Sequence, residues 1–129
     1  MEKIQSKSDK RLIVEGLVNG RAANFLIDTG ASVGLMDDNQ RKDYGLMAGK
    51  RFGGTIVGAG GEMDNIRYCN TFLDLQGKLL SQFLLADIGS VVKSIKRETG
   101  LEILGIISLP QMKLSGIQID ANDNLITIE

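Results

Sequence analysis

A single acidic turn constrains this chain more than any other feature. Residues 25–32 read Phe-Leu-Ile-Asp-Thr-Gly-Ala-Ser, so three bulky apolar residues lead directly into one carboxylate. In the turn that follows, Thr29 can donate and accept hydrogen bonds, and Gly30 permits close backbone approach. The segment therefore predicts a buried strand that ends in a rigidly held Asp28, a suitable arrangement for a binding or catalytic site.

The absence of histidine excludes several kinds of catalytic site. Without it, no Ser-His or Cys-His pair forms within one chain, and the commonest transition-metal ligand is missing. The formal net charge is −1, with no long run of either sign, so electrostatics indicates neither nucleic acid nor an anionic membrane as a partner. The sequence predicts no metal and no cofactor.

Two smaller features have structural interpretations. Cys69 is the only cysteine and lies in an apolar alternating stretch, residues 66–72. We interpret it as a small core residue rather than a reactive thiol. Lys93, Lys96 and Arg97 are interpreted as the solvated face of a short helix rather than as a binding patch.

The length of the chain predicts one domain. Its 129 residues, 43% of them hydrophobic, are sufficient for one well-packed core. We expect residues 1–10 to form an N-terminal tail and residues 11–129 to form a single domain. Residues 1–10 lack the apolar segment of an export signal, and no window approaches eighteen apolar residues, so a cytoplasmic location is favoured.

Turn signals and alternating apolar residues predict mostly strands. Asn19-Gly20 separates two apolar runs and is typical of a type I′ hairpin turn. Short helices are predicted at 39–44, stopped by Gly45, and at 91–98, with Ser90 as a cap and Gly100 as a stop. We predict further strands at 51–61, 62–75 and 78–86, and a short apolar strand that begins at Glu102 and meets Gly105. A one-turn helix over 106–109, ended by Pro110, and a final hairpin over 113–120 and 125–129 follow. Many short strands with two or three short helices indicate a mostly β, barrel-like fold.

The turn Asp28-Thr-Gly-Ala-Ser32 resembles the active-site loop of aspartic proteases, specifically that of the single-lobed retropepsin-like kind. Within that kind, the chain resembles the bacterial or cellular members more than the viral ones. Two segments support the resemblance by position. Ile56-Val-Gly-Ala-Gly-Gly61 lies where that family has a glycine-rich flap, and Ile103-Leu-Gly105 matches an apolar-apolar-glycine segment ahead of a short C-terminal helix. The resemblance implies a closed β-barrel of the acid protease fold.

The resemblance also implies roles for individual residues. Asp28 would be catalytic, with Thr29 and Gly30 as active-site support. Substrate-binding residues would be Gly30, Ala31, Ser32, Val57, Gly58, Ala59, Gly60 and Gly61. Ile103, Leu104 and Gly105 would be structural residues near the site. Retroviral enzymes usually carry an acidic residue where this chain has Ser32 and Val33, so their subsite chemistry does not transfer.

Peptide hydrolysis by this route needs two carboxyl groups. One removes a proton from water while the other, protonated, donates to the carbonyl oxygen. Only Asp28 is followed by Thr-Gly, so the second acid must come from a second copy of the chain, and two-fold symmetry would bring the two together. The predicted function is a homodimeric aspartic endopeptidase acting on a peptide or protein substrate. The alternatives are a non-catalytic peptide-binding or dimerisation module with the same fold and, third, a redox or hydrolytic role for Cys69.

Overall fold

The computed structural model describes residues 2–58 and 61–129, which form fourteen short strands and three α-helices. The strands are β1 Glu2–Gln5, β2 Ile13–Val18, β3 Arg21–Asp28, β4 Gly34–Asp37, β5 Ala48–Arg51, β6 Ile56–Gly58, β7 Gly61–Met63, β8 Arg67–Cys69, β9 Leu73–Leu75, β10 Lys78–Leu80, β11 Phe83–Ala86, β12 Gly105–Ser108, β13 Ile117–Asp120 and β14 Leu125–Ile128. The helices are α1 Arg41–Tyr44, preceded by a 3₁₀ turn Asp38–Gln40, α2 Gly89–Thr99 and α3 Leu109–Ser115. The prediction of a mostly β fold with two or three helices is confirmed.

Nine strands form one sheet in the order β10-β9-β2-β3-β12-β4-β11-β8-β5. The central feature is β12, which lies between β3, to which it runs parallel, and β4, to which it runs antiparallel. Its last residue, Ser108, pairs with Asp28 at the end of β3. The remaining strands form a three-stranded sheet, β1-β14-β13, and the hairpin β6-β7. This topology brings the C-terminal part of the chain to the acidic turn.

The hairpin between β2 and β3 sets the register of the strand that carries Asp28. Asn19 and Gly20 have φ values of 51° and 81°, and Val18 pairs with Arg21 across a two-residue loop. Positive φ at both central residues is the conformation that the prediction of a type I′ turn requires, so that prediction is confirmed. Alternation along β3 then places Phe25 and Ile27 in one apolar cluster and Leu26 in the other.

Both faces of the central strands are covered. One cluster includes Phe25, Phe83 and Ile107, and Cys69 is buried within it. The second cluster lies on the opposite face, where Leu26 packs with residues of α2, namely Val92 and Ile95. Burial on both faces explains the consecutive apolar residues Phe25–Ile27 in β3 and Ile106–Ile107 in β12.

The boundaries of two helices differ from those predicted. Helix α2 begins at Gly89 after Ile88, so Ser90 lies inside the helix and is not its cap. Pro110 is the second residue of α3 rather than the end of a helix, because proline has no N–H to lose in the first helical turn. Ser108 caps this helix, and Gln111 completes a capping box. Residues 106–108, predicted to lie in a one-turn helix, instead form the end of strand β12.

The N-terminal segment includes a paired strand. We expected residues 1–10 to form a tail, whereas Glu2–Gln5 form β1, which pairs antiparallel with β14 from Gln5–Leu125 to Glu2–Ile128. Ile4 is buried, and the Ser6 amide donates to the Asn124 carbonyl. This part of the segment is therefore integrated with the C-terminal hairpin.

Candidate active site

Asp28 ends β3 and is held by its own turn. Its Oδ1 accepts a hydrogen bond from the Gly30 amide at 2.9 Å, and its carbonyl oxygen accepts from the Ala31 amide at 3.1 Å. These bonds fix the carboxylate at the strand end, where the side chain is half-buried while Thr29 and Gly30 are exposed. The sequence prediction of a rigidly held acid at this position matches this geometry.

A buried polar network supports the turn from below. Ser108, opposite Asp28, donates from its amide and its hydroxyl to Gln111 Oε1, at 2.9 and 3.1 Å, and Gln111 Nε2 donates to the Ser81 carbonyl at 2.8 Å. The Leu109 amide also donates to the Ala31 carbonyl at 3.3 Å. Helix α3 is therefore connected directly to the acidic turn.

An open groove of about 1090 Å³ lies beside this turn. Asp28, Gly30, Ala31 and Ser32 line it, so the structure brings together four of the residues predicted for the site. Apolar side chains form much of its floor and sides: Leu26, Val33, Leu35, Ile56, Met63, Ile88, Val91, Ile95 and Ile106. A carboxylate at the edge of an apolar groove is an arrangement that can bind and polarise an extended substrate.

The predicted flap corresponds to the hairpin β6–β7. Its register pairs Ile56 with Met63, Val57 with Glu62 and Gly58 with Gly61. The base residues Ile56 and Met63 line the groove. The predicted substrate-binding residues Ala59 and Gly60 lie outside the described residues.

The three predicted structural residues are buried behind the groove rather than exposed in it. Ile103 and Leu104 are buried, and the Leu104 amide and carbonyl bond to Asn24 and Asp37. Gly105 pairs with Phe25, three positions before Asp28 along β3. The segment reaches the groove itself at Ile106.

Sequence reasoning missed one wall of the groove. Helix α2 contributes Ser90, Val91, Ser94 and Ile95 to the lining. Arg11 also lines the groove, and its guanidinium donates two hydrogen bonds to the Glu98 carboxylate of α2. The Nε–Oε1 distance is 2.7 Å and the Nη2–Oε2 distance is 3.1 Å. These residues are remote from Asp28 in sequence, and no local motif marks them.

Charged groups around the groove are held in defined positions. The hydrogen bond and the charge of Glu98 raise the pKa of the Arg11 guanidinium, and the charge of Asp28 acts in the same direction. Asp87 accepts from the Gly89 amide at 2.9 Å and from Asn39 Nδ2 at 2.6 Å, and these bonds lower the pKa of its carboxyl group. Asp87 is therefore held ionised where α2 begins.

Cys69 is remote from this chemistry. Burial raises the pKa of its thiol, which packs 3.8 Å from the Met36 sulfur. A protonated thiol is a poor nucleophile and a poor metal ligand. Within residues 2–58 and 61–129, no three Asp, Glu or Cys side chains meet as a metal site requires. No helix in the same residues is long and apolar enough to cross a membrane.

Comparison with solved structures confirms the retropepsin-like fold. The chain is similar to EIAV protease complexed with the inhibitor HBY-793, with a TM-score of 0.65, 19% identity, and coverage of 91% of this chain and 99% of that one. It is also similar to the retroviral protease-like domain of Ddi1 from Leishmania major, with a TM-score of 0.63, 22% identity, and coverage of 92% and 88%. A retropepsin-like aspartic protease from Rickettsia conorii gives a TM-score of 0.57, 17% identity, and coverage of 98% and 88%.

Sequence comparison identifies the family independently of the fold. Among curated proteins, none matches this chain by sequence. The family model described as aspartyl protease matches residues 14–105, which include the Asp28 turn, the β6–β7 hairpin and all of α2. That span is well over half of the chain. The chain therefore belongs to the aspartyl protease family.

Proposed function

We propose that this protein is an aspartic endopeptidase that is active as a homodimer. The observation that carries the proposal is the position of Asp28, held by the Gly30 amide at the edge of an open groove that both apolar and polar side chains line. The family match and the retropepsin-like fold support the same reaction class. Fold alone does not establish activity, so the argument depends on the carboxylate and the groove.

The proposal requires a second carboxyl group from a partner copy. The Asp-Thr-Gly sequence occurs once in the chain. Exposed apolar side chains of α3 fit a surface that a second copy covers. Leu109, whose amide donates to the Ala31 carbonyl in the turn, is 37% exposed, and Leu114 is 70% exposed. A two-fold axis beside the exposed Thr29 and Gly30 would bring the two Asp28 carboxyl groups together.

The mechanism follows from the behaviour of two adjacent acids. Carboxyl groups about 3 Å apart do not both ionise, so one stays protonated while the other is a base. The carboxylate of one Asp28 takes a proton from a bound water as the water oxygen attacks the scissile carbonyl carbon. The carboxyl group of the other Asp28 protonates the carbonyl oxygen, and the C–N bond then breaks as the leaving amine takes a proton.

The substrate in this proposal is an extended peptide. It would lie between the Asp28 turn, with Ala31 and Ser32, and the strands of the β6–β7 hairpin. Main-chain hydrogen bonds to the hairpin would give affinity, and alternate side chains would enter the apolar groove.

A cleavage assay with Asp28→Asn tests the proposal. The substitution keeps the size of the side chain and removes its acidity, so we expect cleavage of a peptide library to be lost while the circular dichroism spectrum is retained. Asp9→Asn, a change at an exposed aspartate outside the groove, is the matched control and should cleave normally. Cleavage that survives Asp28→Asn would refute the assignment. Peptide binding by the wild-type chain without cleavage would instead favour the non-catalytic module.

Leu114→Asp tests the proposed dimer surface. A charge at this exposed apolar side chain should shift the protein to a monomer in sedimentation experiments and abolish cleavage. The circular dichroism spectrum should be retained, because Leu114 is largely exposed in one copy, while the unfolding midpoint should lose the part that dimerisation contributes. A variant that remains dimeric and active would show that this face is not the interface.

A further inference from the structure

Helix α2 has three faces with different environments. Val92 and Ile95 are buried in the second apolar cluster, and Ile95 also reaches the floor of the groove. Lys93 and Lys96 are exposed. The third face carries Ser90, Val91 and Ser94, of which Val91 is half-buried and the two serines are exposed, and all three line the groove that holds Asp28.

Both ends of α2 are fixed to elements around the Asp28 turn. At the start of the helix, the Ile88 amide donates to the buried Asp37 carboxylate at 3.3 Å. At its end, Glu98 binds Arg11 through two hydrogen bonds, and the Glu98 carbonyl accepts from Lys10 Nζ at 3.1 Å. A helix held at both ends is a rigid wall, and rigid walls discriminate between ligands by size.

The third face combines one apolar side chain with small neighbours. Val91 is flanked by serines one position before and three positions after it, so the wall is indented rather than filled. Further apolar side chains line the same groove, among them Val33 and Ile56. The helix presents two small serines beside the apolar Val91 and Ile95, and a space with such walls suits an apolar side chain of a ligand.

We propose that α2 forms the wall of a side-chain subsite, and that Val91 and Ser94 determine the size of the apolar peptide side chain that this subsite accepts. The inference rests on the proposed function, since it names the substrate class that the same groove selects. Val91 supplies apolar contact, and Ser94 sets the depth of the space. Neither residue takes part in bond cleavage.

The proposal predicts opposite effects for two substitutions. Val91→Ala enlarges the space and should favour phenylalanine over leucine at one peptide position, whereas Ser94→Leu fills the space and should favour alanine or valine there. A methylene group in an apolar pocket changes selectivity by roughly 10-fold or more. We therefore expect the ratio of kcat/KM for the larger and smaller side chains to change about 10-fold, in opposite directions, in the two variants.

Matched peptides that differ at one position give the assay. Lys96→Ala, an exposed change on α2 outside the groove, is the control and should leave the ratio unchanged. Thermal unfolding of each variant shows whether the helix is intact. Because Ser94 is exposed and Val91 half-buried, both variants should fold. If one fails, the other carries the test.

Binding measurements separate this inference from the proposed function. The same peptides are titrated against each variant in an Asp28→Asn background, where affinity is read without cleavage. A shift in size selectivity for binding supports the subsite even if the wild-type chain cleaves nothing. Selectivity that is the same in Val91→Ala, Ser94→Leu and the control would overturn the inference, whether or not Asp28-dependent cleavage is observed.

Discussion

Gly105 provides a stringent test of the packing that places Asp28. It begins β12, between β3 and β4, where an ideal Cβ would overlap the Leu35 carbonyl oxygen and lie 2.7 Å from Cε2 of Phe25. The carbonyl is backbone of a paired strand and the ring is fully buried, so neither has room to move. Gly105→Ala should therefore force β12 away from β4.

The expected cost is large for one added methyl group. Overpacking of a core lowers the free energy of unfolding by about 1–3 kcal/mol. We expect about 2–3 kcal/mol for Gly105→Ala, because the added methyl group meets backbone atoms that cannot move aside. For a chain of this length, that lowers the thermal unfolding midpoint by roughly 6–15 °C. Because β12 also pairs with Asp28 through Ser108, cleavage should fall even at temperatures where the variant is folded.

Thermal and urea unfolding followed by circular dichroism measure the effect. Gly53→Ala is the matched control, because among the described residues no heavy atom other than those of Gly53 and its two chain neighbours lies within 4 Å of the position of its Cβ. The control should unfold within about 2 °C of the wild type, since surface changes away from packed features are nearly neutral. Equal midpoints for Gly105→Ala and Gly53→Ala would refute the packing argument.

Three further predictions concern single groups. Cys69 should resist maleimide at pH 8 in the folded chain and react rapidly in urea, because burial raises the pKa of its thiol, and rapid labelling of the native protein would contradict this. Hydrogen bonds from the Gly89 amide and Asn39 lower the pKa of Asp87, so its ionised form adds stability at neutral pH that is lost as the pH falls through that lowered pKa. Asp87→Asn should therefore flatten the acid limb of a plot of unfolding free energy against pH, and an unchanged limb would contradict this role of Asp87. Asp37→Ala should cost about 1–3 kcal/mol in urea unfolding, because it leaves buried donors unpaired, and a neutral result would exclude that role.

The sequence predicts local features of the fold well. Asn19-Gly20 has a conformational requirement that few residue pairs meet, so its turn type was readable. Pro110 was misread because proline both stops helices and starts them, and the choice depends on its position. The spacing of Ser108 and Gln111, a capping box, was the available signal for the start of α3.

Nonlocal features of the site were not predictable in the same way. The pairing of β1 with β14 joins residues more than a hundred positions apart, and each strand is too short to indicate its partner. One wall of the groove depends on the packing of α2 through Val92 and Ile95. The sequence pattern of α2 predicts this buried face, but it does not predict that another face of the helix lines a groove. Asp28 is identifiable because its whole turn is contiguous in sequence, whereas Arg11 and Val91 come to line the same groove only after folding.

Mixed dimers test the shared acid pair most directly. Wild-type and Asp28→Asn chains are denatured, mixed in equal amounts and refolded, so that the copies pair at random, and peptide cleavage is measured per total protein. If each active site needs both Asp28 carboxyl groups, only wild-type pairs cleave, and activity should fall to about one quarter of the all-wild-type value. Activity of about one half would mean that each copy cleaves with its own Asp28 alone, and would contradict the account.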